Sequence, residues 1–366
     1  MTILDDIKQI KKLDKFKMAD FIAELPEQCL TAYQEAQKIQ IPKDYQKISA
    51  QDSLSAGWRR PVSGWQNIII CGMGGSAIGG ELAKDLVQKQ IAVPIIINRD
   101  FNLPISVDEK SLVILVSYSG NTRETISCFN QALKTKAKKF VITSGGELEK
   151  MAKKENCPIF KFKYSAPPRA SLAYLFMPIL VILEKLGLIN LKTWQIPESL
   201  KELQKINKIF KPEILTEKNK AKFLAYSVFD RLPIIIAPSN FSSLARRLKN
   251  QLAENGKNFA FTETWPEIFH NFIESRLPLR MEDDLIYLFL DDPNQDKETK
   301  KSLIFFQNLL DKKRNYKEII SPLGENYFTQ FLSFILINDW LSFYLAILNQ
   351  FDPTPVENIN WLKKQL

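Results

Sequence analysis

The strongest constraint on this chain is a recurring unit: a short apolar run, a loop rich in glycine or hydroxyls, then a helical pattern. Asn67-Ile-Ile-Ile-Cys71, Val93-Pro-Ile-Ile-Ile-Asn98, Ser111-Leu-Val-Ile-Leu-Val-Ser117 and Lys139-Phe-Val-Ile-Thr143 are such runs. Short runs with no polar alternation, separated by helices, predict strands of a parallel sheet covered on both faces. The same order returns at Leu232-Pro-Ile-Ile-Ile-Ala-Pro-Ser239, Asp284-Leu-Ile-Tyr-Leu-Phe-Leu-Asp291 and Lys317-Glu-Ile-Ile-Ser321, with a helix over Leu244 to Ala253. The expected fold is α/β, with two sandwich domains over 1–195 and 196–366, each a mainly parallel sheet flanked by helices. Direct similarity between the halves is weak, so this repeat rests on element order and places the junction within 190–215. Residues 1–40 read as two amphipathic helices broken at Pro26, counted with the first domain, and Asp52 to Ser63 as a polar irregular stretch.

Composition narrows the partners. Fifty basic against 41 acidic residues give +9, a sign that suits an anionic substrate, nucleic acid or an acidic membrane surface. The lysines are scattered over helical stretches, as at Lys8, Lys11, Lys12 and Lys15, and no basic run interleaves aromatics, so nucleic acid is not expected as a partner. Cys29, Cys71, Cys128 and Cys157 stand far apart with no C-x-x-C pair, which reads as a reduced, cytoplasmic chain. The opening residues lack the apolar core of a signal peptide. Leu172 to Leu183 is too short to cross a bilayer of roughly 30 Å, and Gln330, Asn338 and Asp339 interrupt Phe328 to Leu348. Both are expected to be core helices, with no membrane partner.

Two loops carry the chemistry. The first strand runs into Gly72-Met-Gly74-Gly75-Ser76-Ala-Ile-Gly-Gly80, with a helix expected from Glu81. Glycines there admit a ligand to the backbone, and a helix N-terminus offers N–H groups to an anion. Alone, Gly72-x-Gly74-x-x-Ala77 with Asp100 downstream also fits a loose dinucleotide fingerprint. The third strand runs into Ser117-Tyr-Ser119-Gly-Asn-Thr122-Arg-Glu-Thr125. Its hydroxyls, with Ser76, can form a cup for a phosphomonoester at neighbouring strand ends. A dinucleotide has no use for that second cluster, although Ser119 or Thr122 could simply cap a helix.

These residues carry a resemblance. Gly72–Gly80, Ser117–Thr125, Pro168-Arg-Ala-Ser-Leu-Ala-Tyr174, Gln251-Leu-Ala-Glu-Asn255 and Asp352-Pro-Thr-Pro-Val-Glu357 resemble, in order, the signature blocks of bifunctional phosphoglucose/phosphomannose isomerases, whose halves are sugar-isomerase (SIS) domains. The Asp14 to Glu27 segment also fits. Proteins of the wider sugar-isomerase fold share the first two blocks, and the other three single out this group.

The resemblance implies an aldose–ketose isomerase that interconverts glucose 6-phosphate and mannose 6-phosphate with fructose 6-phosphate through a cis-enediol, in glycolysis or gluconeogenesis. It implies neither metal nor organic cofactor. Gly74, Gly75, Ser76, Ser117, Ser119 and Thr122 would hold the phosphate. Glu254 would move the proton between C2 and C1, help that is typically worth ~10²–10⁴ in rate. His270, the single histidine of the chain, would open the sugar ring, reaching in from the other subunit of a homodimer. Arg169 would face the developing enediolate, a contact that strengthens only in the transition state. Lys363 would lie near the substrate oxygens, with Lys364 beside it as the other choice, and Thr354 would set tolerance at C2. The chain departs from the family around its histidine: Trp265 and Phe272 stand in Thr262-Glu-Thr-Trp-Pro-Glu-Ile-Phe-His-Asn-Phe-Ile-Glu274, where polar groups are usual. They are expected to enlarge the apolar surface there. The other function class that fits is a non-catalytic sugar-phosphate-binding protein of the same fold, which has no need of Glu254 or His270.

Overall fold

The computed structural model describes residues 2–45, 64–276 and 284–365, so the irregular stretch expected over Asp52 to Ser63 lies outside the described residues. Two short helices come first, α1 (Ile7–Leu13) and α2 (Met18–Ala23). The chain then forms two compact units, Leu25–Leu200 and Met1–Glu24 with Lys201–Leu366. The N-terminal segment therefore departs from the expected division at 195/196. Polar anchors account for it: Lys222 Nζ meets Asp5 Oδ1 at 3.1 Å, Thr216 N–H donates to the same oxygen at 2.9 Å, and Asn207 Nδ2 donates to Ala23 O at 2.6 Å. Nothing in the periodicity of a short amphipathic helix says which half it covers.

The unit Leu25–Leu200 begins with α3 (Leu25–Ala36). Pro26 stands in its first turn, where a missing N–H costs nothing, so the break falls at Glu24. Then follow β1 (Asn67–Cys71), α4 (Gly74–Val87), β2 (Ile95–Asn98), β3 (Ser111–Ser117), α5 (Arg123–Leu133), β4 (Lys138–Thr143), α6 (Gly146–Lys154), β5 (Ile159–Lys161) and α7 (Leu172–Lys185). The strands pair in parallel in the order β2-β1-β3-β4-β5. Every residue of β1 and β3 is buried, as unalternated runs demand. Helix α7 is buried from Leu172 to Leu183, a helix apolar all round and therefore enclosed. Strand β5 is not expected from the sequence, being only three residues long.

In the second unit, α8 (Ile196–Lys208) spans the junction and leads to α9 (Lys220–Val228), β6 (Leu232–Pro238), α10 (Ser242–Glu254), β7 (Phe261–Trp265), β8 (Leu285–Leu290), α11 (Lys297–Lys312), β9 (Tyr316–Ile320), α12 (Tyr327–Leu348) and α13 (Glu357–Gln365). The sheet is again parallel, in the order β7-β6-β8-β9. Each unit thus lays its second strand beside its first and its third on the other side. Strand β7 escapes sequence reading because Phe-Thr-Glu-Thr-Trp is a polar edge strand. Among the described helices, α12 alone is long and apolar enough to cross a membrane, and its apolar window is wholly buried within the fold.

A 2-1-3 order creates a crevice between the carboxyl ends of the first and third strands, where open α/β sheets take ligands. The two crevices differ in content. Between β1 and β3 stand the glycine and hydroxyl loops. Between β6 and β8, Asn240 Nδ2 donates to Asp292 Oδ2 at 3.0 Å, and Asn294 N–H donates to Asp292 Oδ1 at 2.9 Å. That aspartate is 3% exposed.

Candidate active site

The residues singled out by sequence divide between the two units. Within Leu25–Leu200, helix α4 starts at Gly74, seven residues before the expected Glu81. Gly74, Gly75, Gly79 and Gly80 are therefore helical, although glycine inside a helix costs about 1 kcal/mol against alanine. Packing explains two of them. A Cβ on Gly75 would stand 3.1 Å from the Pro168 carbonyl and 3.3 Å from Arg169 N, and one on Gly79 would stand 2.9 Å from Leu175 O. The bare helix face lets the Pro168–Leu175 segment lie directly on the glycine block.

The hydroxyl loop is knitted to the same block. Tyr118 N–H donates to Ser76 Oγ at 3.1 Å, Gly120 N–H donates to Ser117 Oγ at 3.0 Å, and Ser117 Oγ and Thr122 Oγ1 are 2.8 Å apart. Ser76 and Ser117 are buried, whereas Ser119 is exposed and accepts from Asn121 N–H at 3.2 Å. Gly120 has φ +68°, and a side chain there would overlap Gly145 O; only glycine lets this loop lie against the one after β4. Thr122 occupies the N-cap position of α5, but its side chain makes no capping bond. Met73 at the N-cap of α4 makes none either. Two helix N-termini thus face adjacent strand ends without a side-chain cap of their own, an arrangement suited to an anion.

Tyr118, a mere spacer between two serines in the sequence, proves to be a tie. Its hydroxyl donates to Tyr164 O at 2.8 Å and accepts from Ala166 N–H at 3.3 Å. Tyr164 in turn stacks on Tyr174 with ring centroids 5.2 Å apart. The stretch leading to Arg169 is held in this way, and Arg169 itself is 4% exposed on a 3-10 turn, Pro168–Ala170. The glycine block, the hydroxyl block and the Pro168 block therefore converge.

In the other unit, Glu254 is the last residue of α10 and half-buried. The preceding turns of α10 carry, on the same face as Glu254, polar yet buried residues. Arg247 Nη2 meets Asp339 Oδ2 at 2.5 Å, Gln251 Nε2 donates to Asp339 Oδ1 at 2.9 Å, and Asn255 Nδ2 donates to Ser342 Oγ at 3.0 Å. Three contacts spaced four residues apart fix how α10 is rotated on α12, and with it where Glu254 stands. Glu254 shares a cavity of about 470 Å³ with Lys257, Asp352, Pro355 and Glu357. Lys257 Nζ donates to the main-chain oxygens of Glu254 and Pro355. Thr354 is half-buried beside these lining residues, and its N–H donates to Asp352 Oδ1 at 2.9 Å.

His270 is exposed at the end of the turn Glu267–His270. Lys363 and Lys364 are both exposed on α13, a helix with no buried residue, so the geometry does not choose between them. The expected apolar surface around His270 needs correction. Trp265 is 1% exposed, within reach of Phe289 at 6.5 Å between centroids. Phe272 sets its edge against Tyr287 and Phe306, each at 6.5 Å. The two aromatic departures serve the core behind β7 and β8. Among the described residues, no group of three or more His, Cys, Asp or Glu side chains could hold a metal ion.

Comparison with known proteins separates this arrangement from others of the same fold. Residues 217–366 match the family model described as the bacterial phospho-glucose isomerase C-terminal SIS domain. The bifunctional phosphoglucose/phosphomannose isomerase of Caldicellulosiruptor bescii is 34% identical over 351 residues, 95% of this chain and 98% of the relative. The chain belongs to the bifunctional phosphoglucose/phosphomannose isomerase family. Its counterpart in Aquifex aeolicus is 30% identical over 84% of this chain and 92% of its own length. Among solved structures, a glucose-6-phosphate isomerase-like protein from Thermus thermophilus aligns with 98% of this chain and all of its own, at TM-score 0.61 and 17% identity. That last likeness speaks for the fold. Membership in this isomerase family gives the five sequence blocks a common setting: three converge at the β1/β3 crevice, and Gln251–Asn255 and Asp352–Glu357 meet at the cavity beside Glu254.

Proposed function

We propose that this chain interconverts glucose 6-phosphate and mannose 6-phosphate with fructose 6-phosphate. Family membership supports the substrate pair. The geometric observation that carries the reading is the Tyr118 N–H to Ser76 Oγ bond at 3.1 Å, which joins two uncapped helix N-termini and a hydroxyl cluster at one crevice. Such a crevice suits the three free oxygens of a terminal phosphate.

The reaction runs through a cis-enediol. Gly74, Gly75, Ser76, Ser117, Ser119 and Thr122 bind the phosphate. Glu254 takes the C2 proton of the aldose and returns it to C1 on the same face, and the reverse step follows by microscopic reversibility. Arg169 steadies the negative oxygen that develops meanwhile. His270 relays a proton between the ring oxygen and the C1 hydroxyl when the ring opens; its exposure is in keeping with service to a second copy in a homodimer. Lys363 and Thr354 complete the site. The enzyme works in the cytoplasm, in carbohydrate metabolism through glycolysis or gluconeogenesis, and its own residues carry the proton transfers.

Fructose 6-phosphate incubated with the chelated protein in D₂O tests this by NMR. The expected products are glucose 6-phosphate and mannose 6-phosphate with deuterium at C2, and Glu254→Gln loses turnover and label together. Binding without turnover or exchange would leave a sugar-phosphate-binding protein and remove the roles given to Glu254 and His270.

A further inference from the structure

The cavity beside Glu254 contains an acceptor that the reaction above leaves unused. Asp352 opens the Asp352-Pro-Thr-Pro-Val-Glu357 block and lines the same space of about 470 Å³ as Glu254. Its Oδ1 accepts from Thr354 N–H at 2.9 Å, the short-range bond of an aspartate-led turn. Its Oδ2 is buried and has no hydrogen-bond partner among the described residues. A buried carboxylate oxygen without a donor is unfavourable, and folded proteins rarely leave one so. The nearby Asp14 carboxylate offers no relief: its oxygens accept from Met18 N–H at 2.7 Å and Ala19 N–H at 3.0 Å, and its charge is like.

The charge of the cavity says what the missing donor is. Three acids, Glu254, Asp352 and Glu357, line it against one cation, Lys257, whose Nζ donates to the main-chain oxygens of Glu254 and Pro355. The balance disfavours a phosphate there, while the hydroxyls of a polyol are donors. We infer that Asp352 is a substrate-binding residue, its Oδ2 accepting from the hydroxyl on C3 or C4 of the open-chain sugar phosphate. That bond sets the depth of the carbon chain, so that C1 and C2 come opposite Glu254. The inference rests on the isomerase reading given above.

Asp352→Asn keeps an oxygen for Thr354 N–H and turns the second acceptor into a donor. With fructose 6-phosphate, kcat/KM falls roughly 10- to 100-fold, the usual weight of one hydrogen bond to a charged group. The 3-deoxy and 4-deoxy analogues then locate the contact. On the analogue that lacks the partner hydroxyl, wild type and variant are equally slow; on the other, the full difference remains. A purely structural role gives one wild-type-to-variant ratio on all three substrates, and that result overturns the inference while the isomerase stands. Wild-type protein that fails to turn over fructose 6-phosphate removes the isomerase reading and this inference together. Unfolding midpoints check that the variant is folded, and Asp352→Ser, which retains a turn acceptor without Oδ2, replaces it if the amide does not fold.

Discussion

Arg247 and Asp339 form a buried ion pair at 2.5 Å, their side chains 3% and 6% exposed. An apolar contact between α10 and α12 would hold the helices together equally well, since buried ion pairs are often no more stabilising than packed hydrocarbon. What hydrocarbon does not do is forbid rotation. One residue of slip turns a helix by about 100°, enough to carry Glu254 away from its cavity.

Asp339→Ala, which leaves the guanidinium buried without its carboxylate, is expected to destabilise the protein by about 3–5 kcal/mol in chemical denaturation. The double replacement Arg247→Met, Asp339→Leu should recover most of that stability yet turn over more slowly than wild type at saturating substrate. Full recovery of kcat in the double variant would show that the pair has no part in placing Glu254.

Gly79→Ala sets helix propensity against packing. Alanine favours the helix by about 1 kcal/mol, but its Cβ would stand 2.9 Å from the backbone oxygen of Leu175. Backbone does not yield as a side chain does, so overpacking wins, with a net loss of about 1–3 kcal/mol. Thermal unfolding reads the sign directly, and a higher Tm for the variant would refute close packing of α4 on α7.

Asp5 gives a pH dependence. Burial pushes its carboxyl up, but hydrogen bonds from Thr2, Thr216 and Lys222 outweigh that and bring it below the ordinary 3.8. The folded state then holds the proton less tightly than the unfolded one, so the stabilisation is complete above 3.8 and is lost as pH falls through the folded value. The stability difference between wild type and Asp5→Asn should be constant from about pH 5 to 7 and shrink in acid below the ordinary carboxyl value. A difference that grows in acid would reverse the assignment.

Thiol chemistry supplies an independent check of the first sheet. Burial pushes the thiols of Cys29 and Cys157 up to about 12, and all four cysteines are buried. A thiolate is the reacting species, so Ellman's reagent at about pH 8, below the ordinary thiol value, should leave Cys29 and Cys157 unlabelled in native protein and label them after denaturation. Rapid native labelling of either, located by mass spectrometry, would contradict their placement.

The parallel sheets were legible because Ile68–Ile70, Leu112–Val116 and Leu285–Leu290 are apolar without alternation, which only a two-sided cover explains. Strand β7 was not, since an edge strand needs no such pattern and Thr262, Glu263 and Thr264 look like loop. The start of α4 was misplaced because Gly74 to Gly80 resemble a loop in isolation; the reason they are helical lies on the distant Leu175. At the candidate site, the clustering of Ser76, Ser117 and Thr122 could be expected from spacing. Tyr118, Gln251 and Asp339 could not be given their ties, because a hydrogen-bond partner distant in sequence leaves no periodic trace.

The Asn240–Asp292 bond has a further consequence. It fills the β6/β8 crevice with a carboxylate that already has its own donors, so a phosphate arriving there would meet negative charge in place of a hydroxyl cup. On the proposed reading, the doubled architecture therefore yields a single anion port per chain. Titration with a sugar phosphate saturates at one equivalent, and a molecule built from two similar halves behaves as an asymmetric receptor.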